Sequence, residues 1–209
     1  MWCFDLDGIT SPSTTQIAYR NQGDYSSVVN LSPFSFISDS STSEYTNVQY
    51  SAEYAKDLSE NDFIQTVDGG GLFVLYSWDM EPFVTNPNML SKLGFTAWAR
   101  TQSDSTSGIP VAVHEVWNDA SGFWDTLNQG TQNPAQVELL STTLVNGPYQ
   151  LDQYVDSSNR IYTRLLMSNP TNSTDHLHIN YTRTCVDTRP IGAQGETGIQ
   201  GETGIQGVT

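Results

Sequence analysis

The chain has 209 residues and a formal net charge of -15. That charge excludes nucleic acid and anionic membrane surfaces as partners, because their phosphates repel it. It leaves carboxylates available for cations such as Ca2+. Charged residues are only 15% of the chain, and lysine occurs only as Lys56 and Lys92, a composition that suits strands joined by polar turns. No segment approaches the ~18 apolar residues of a membrane span. The opening MWCFDLDG has neither the basic nor the apolar region of a signal peptide, so a surface destination is expected to be reached by assembly.

Taken in chain order, residues 1–27 predict an arm or an irregular first strand. Val28–Phe36 reads as a strand that Pro33 restricts to an edge or a bulge, and Ser38–Ser43 as a polar loop. Ala52, Ala55 and Leu58 have helical spacing, which predicts a short helix within Tyr45–Asn61. Asp62–Val67 reads as a strand. After the turn Asp68–Gly71, the apolar run Leu72–Trp78 reads as a central strand. Met80–Met89 carries Pro82 and Pro87 and predicts a loop. Leu93–Arg100 alternates, Gln102–Gly108 turns, and Ile109–Trp117 is a strand. Asn118–Gly122 has the residues a tight reversal needs, which makes Phe123–Leu127 a hairpin partner. Val137–Leu144 reads as a strand or short helix, and Asn146–Pro148 as a turn. Tyr149–Val155, Arg160–Met167 and His176–Thr184 read as strands. Eight to ten short strands between turns, with no long helix, predict an all-β sandwich of jelly-roll type over residues 1–187.

Beyond a linker at 188–191, glycine occupies every third position: Gly192, Gly195, Gly198, Gly201, Gly204 and Gly207. Only glycine fits at the axis of three wound polyproline-II chains, so this period predicts a collagen triple helix and a homotrimer. No triplet contains proline, so the globular domain is expected to bring the three chains together. The last triplet closes at Thr209, as a longer collagen-like region cut short would.

Motifs for catalysis are sparse. There is no GxSxG, HExxH, Walker A or GxGxxG pattern, so no catalytic residue is assigned and no enzyme is expected. His176 and His178 are two apart and share a strand face, a spacing that chelates metals or simply places two surface histidines together. Asp119 and Asp125, or Asp152 and Asp156, are the carboxylates placed to join a Ca2+ site with backbone carbonyls. Exposed aromatic rings stack on sugars. Strand parity puts Trp117 with Val111 and Val113 on a core face, and it leaves Trp98 and Trp124 as ligand-facing aromatics, with core or interface packing as the alternative. Cys3 and Cys185 bracket the domain, and three states are open to them: an intrachain bridge, a bridge between chains, or two reduced thiols.

The block Val111–Leu127, VAVHEVWNDASGFWDTL, is a strand, a short turn and an aromatic return. With Tyr154–Asp156, Ile161–Met167 and His178–Tyr181 it resembles galactose-binding-like β-sandwich modules across residues 53–187. The triplet tail resembles bacterial and phage collagen-like surface proteins, including those of spore exosporia. That resemblance implies sugar on the Y-position Thr197, Thr203 and Thr209. Together these readings predict a structural, trimerising domain that nucleates a collagen-like fibre and serves as head or anchor on a spore or phage particle. The alternative is a carbohydrate-binding adhesin or receptor-binding domain. The expected partners are two further copies of the chain and glycans or particle-surface proteins, with no nucleic acid, no membrane insertion and no cofactor beyond Ca2+.

Overall fold

The computed structural model describes residues 1–21, 30–40, 42–46, 49, 63–66, 73–81, 83–103, 110–132, 134, 136, 138–168 and 175–188. Its strands are β1 (Trp2–Phe4), β2 (Ile17–Asn21), β3 (Thr42–Glu44), β4 (Phe63–Thr66), β5 (Phe73–Asp79), β6 (Leu90–Gln102), β7 (Ala112–Asn118), β8 (Phe123–Gln129), β9 (Glu138–Val145), β10 (Arg160–Met167) and β11 (His176–Thr188). One short helix, α1 (Pro33–Ser38), and two 3-10 turns, Pro87–Met89 and Leu151–Tyr154, complete the described elements.

The strands form two antiparallel sheets. Sheet I runs β1-β11-β6-β9, with β4 also on β11; sheet II runs β3-β2-β5-β10-β7-β8. The chain is thus a β-sandwich. Alternation along each strand sends every second side chain between the sheets. Sheet I contributes Leu93, Phe95, Ala97 and Ala99 from β6, and sheet II contributes Val74, Tyr76 and Trp78 from β5, all fully buried in one core. Burying each of the larger of these side chains, such as Leu93 or Phe95, is worth about 2–3 kcal/mol. A bulge between Ile179 and Tyr181 shifts the register of β11. It moves the core-facing set from Leu177 and Ile179 to Val186, because one extra residue flips the parity of all that follow.

Sheet II is covered on its outer face as well. Leu75, Val113, Trp117, Tyr162 and Leu166 pack there with Phe36 of α1, and Leu31, Ile37 and Trp124 lie against them. This second layer explains why Arg160–Met167 reads as an almost continuous apolar run instead of an alternating one.

Two expected strands are not strands. Val28–Phe36 contains the start of α1 instead. Ser32 caps that helix, its hydroxyl accepting from the Ser35 N–H at 3.2 Å, and Pro33 stands at the first helical position, where its fixed φ suits a helix and its missing N–H is not needed. Tyr149–Val155 holds a 3-10 turn, which places Leu151 and Tyr154 on one side and buries both. The Ser38–Ser43 loop runs into β3. The predicted helix within Tyr45–Asn61 lies almost wholly outside the described residues. So do the linker beyond Thr188, the six glycine triplets, and Thr197, Thr203 and Thr209.

Candidate ligand-binding face

Several sequence-predicted site residues are engaged by the protein itself. Cys3 and Cys185 form a disulfide that joins β1 to β11 at a directly paired position. Trp124 is half-buried. It packs edge-on against Trp117 at 5.3 Å, lies under the Arg164 guanidinium at 4.2 Å, and donates its indole N–H to the Leu31 carbonyl at 2.9 Å. It is therefore the seat of the outer layer of sheet II, and not the open platform that parity suggested. Trp117 is buried, as expected, but in that outer layer and not between the sheets.

The aspartates hold turns. Asp156 is buried, and its carboxylate accepts from the Ser158 and Arg160 N–H groups at 2.8 Å and from the Tyr162 hydroxyl at 3.1 Å. Burial, then the Asp156 charge, push the Tyr162 hydroxyl well above its ordinary pKa. Asp125 accepts from Asn118 at 3.2 Å and from the Tyr154 hydroxyl at 3.0 Å. Burial and that hydrogen bond raise Tyr154 to about 12. Asp119 accepts from the Trp117 indole at 3.2 Å, and Asp152 is exposed in a 3-10 turn. Among the described residues no group of three or more His, Cys, Asp or Glu side chains is arranged to hold a metal ion.

His176 and His178 do share a face, with rings 6.2 Å apart. Their neighbour is a cation: Arg100 Nη2 approaches His178 Nδ1 at 3.5 Å. Burial, then Arg100 and His176, lower His178 to about 4. A guanidinium at this distance opposes the arrival of a further positive ion.

Trp98 stands apart from the other predicted residues. On β6 the odd positions from Leu93 to Ala99 point into the core, so Trp98 lies on the outer face of sheet I, half-buried as Trp124 is. Trp78, Trp117 and Trp124 donate their indole N–H groups to Thr163, Asp119 and Leu31. Among the described residues no hydrogen bond engages that of Trp98.

The register fixes its neighbours. Across β9 lies Leu139 and across β11 lies Tyr181, whose hydroxyl donates to Asp5 Oδ2 at 3.1 Å. Two residues along β6, Thr96 pairs with Ser141 on one side and Arg183 on the other. In the other direction Arg100 pairs with His178. Paired side chains on one face stand about 4.5–5.5 Å apart. Trp98 is thus an aromatic plane flanked across the strands by Leu139 and Tyr181 and, two residues along, by the Thr96 and Ser141 hydroxyls and the Arg183 guanidinium on one side and the Arg100 guanidinium on the other. Gly94 pairs with Cys185 and leaves the face low beyond Thr96. Sequence parity identified Trp98; its neighbours on β9 and β11 required the sheet order.

No protein-family model matches the chain, and no curated protein does. Several solved structures are similar to it, among them the following two. One is the CBM22-1 xylan-binding domain of Xyn10C from Paenibacillus barcinonensis, at 8% identity and a TM-score of 0.37, covering 66% of this chain and 92% of that one. The other is the CBM22-1–GH10 part of endo-1,4-beta-D-xylanase 10B from Clostridium thermocellum, complexed with xylohexaose, at 9% identity and a TM-score of 0.32, covering 72% of this chain and 27% of that one.

Proposed function

We propose that this domain binds carbohydrate on the outer face of sheet I, centred on Trp98, without turnover. The observation that carries the reading is the state of that indole: half-buried on an outer sheet face, with no hydrogen bond to its N–H among the described residues, and bordered by Thr96, Ser141, Arg100 and Arg183. A pyranose has one apolar C–H face and a rim of hydroxyls. The indole plane suits the first, and the surrounding donors and acceptors suit the second. Side chains already held on a paired sheet lose little further freedom on binding, which keeps the entropic cost low.

The test is retardation in native gels cast with soluble polysaccharides, xylan and galactan among them. The native protein is expected to be retarded by at least one, and W98A to bind ~10–100-fold more weakly, about 1.4–2.7 kcal/mol, with an unchanged melting temperature. Equal retardation of native protein and W98A would remove Trp98 from the site, and free migration of the native protein in every gel would reject the reading.

A second reading is carried by a separate observation, the unbroken glycine period from Gly192 to Gly207. It makes the domain the trimerising head of a collagen-like fibre on a spore, phage or cell surface. The two readings are compatible, because three heads on one stalk multiply a weak sugar contact into avidity.

A further inference from the structure

We infer that the end of the sandwich from which the chain passes to the glycine triplets is the contact surface between copies of this chain; the inference rests on the trimeric reading above. Thr188, the last residue of β11, pairs with Leu90, and Val186 pairs with Trp2. The exposed large apolar side chains gather at this end. Trp2 is 41% exposed and Phe83 44%, and the two rings meet at 5.8 Å. Val145, 42% exposed, closes β9 opposite Lys92, and Tyr149, 44% exposed, follows it. Phe123, 70% exposed, sits on the β7–β8 hairpin, whose Asp119 N–H donates to the Gln153 carbonyl beside the same end at 2.7 Å. Apart from Met1 next to Trp2, the two remaining exposed side chains of this kind among the described residues, Phe34 and Leu139, lie on the outer faces of the sheets.

The covalent chain names the occupant. Gly192 is four residues beyond Thr188, so its Cα lies within ~14 Å of Thr188 even when the link is fully extended. In a triple helix that glycine is at the common axis. A head of this length has a radius of gyration of ~16 Å. Three heads on tethers that short meet around the axis, and the surface nearest the axis is the one around Thr188. Aromatic rings exposed there are what a permanent interface between copies buries.

The test uses the full chain. Light scattering on native protein, on W2S/F83S and on V145E/Y149E is followed over a dilution series, with F34S as a control and circular dichroism for folding. The expected result is a native mass of three times 23.1 kDa, unchanged in F34S, with both double variants folded and dissociating at concentrations about tenfold or more higher. If W2S/F83S is unfolded, V145E/Y149E decides alone. Native trimers with V145E/Y149E dissociating no earlier than F34S would overturn the inference and leave the trimeric reading standing. A native monomer at every concentration would overturn both.

Discussion

The buried carboxylate of Asp156 illustrates how single residues fix this fold. It satisfies two backbone N–H groups and the Tyr162 hydroxyl at once, in a turn where Asn159 takes a positive φ of 58°. Removing it leaves the buried Tyr162 hydroxyl and two part-buried N–H groups without their acceptor, so D156A is expected to lower stability by about 1–2 kcal/mol in urea melts. His114 acts through its charge state. It is buried against Phe95, and burial lowers its pKa to about 3. The unfolded chain, with a histidine pKa near 6.5, takes up a proton that the native state refuses. Stability should therefore be flat above pH ~6.5 and fall as pH drops toward 3, with H114L removing up to one proton's slope, about 1.4 kcal/mol per pH unit. His178, lowered to about 4, adds a slope of the same sign. Residue roles were legible in the sequence where alternation is regular. Trp98 falls out of phase with Leu93, Phe95 and Ala97, and it does face outward. For Trp124 the alternative of packing describes the structure: its indole N–H is held by the Leu31 carbonyl, 93 residues away, a contact that no local pattern encodes.

Among the elements, β1 is held by its pairing with β11 and by the Cys3–Cys185 disulfide, which spans 182 residues. Closing a loop of that length is worth up to about 5 kcal/mol in the chain-entropy model. The C3S/C185S variant is expected to unfold at a clearly lower urea concentration, and reduction of the native protein should reproduce its midpoint. An unchanged midpoint would mean that β1 contributes to the fold without the bond. The strands with strong alternation or dense β-branched and aromatic content, β5, β6, β7, β10 and β11, were legible to within a few residues, because burial of one or both faces dictates their composition. Val28–Phe36 was not legible: Ser32-Pro33 serves equally as an edge-strand break and as a helix cap, and only the apolar outer face of sheet II, which buries Phe36, selects the helix. W124A removes the seat of that layer, so it should lower stability by about 2–3 kcal/mol, in contrast with W98A.

At the scale of the whole molecule, the exposed features separate by location. The outer face of sheet I carries Trp98 with hydroxyls and guanidinium groups, whereas the end of the sandwich near Thr188 carries exposed aromatic rings. The sandwich class follows from many short strands and turns, but the order of the strands does not, since β11 pairs with β1, β4 and β6 from three distant parts of the chain. That order is what sets Ser141 and Arg183 on either side of Thr96. The reading that this face binds sugar is tested most directly by following the indole N–H resonances of 15N-labelled protein during titration with mixed xylo-, gluco- and galacto-oligosaccharides. The Trp98 signal is expected to shift and saturate while those of Trp78 and Trp124, bonded to Thr163 and Leu31, stay in place. A Trp98 signal unmoved by every sugar, or a shift confined to the other tryptophans, would contradict it.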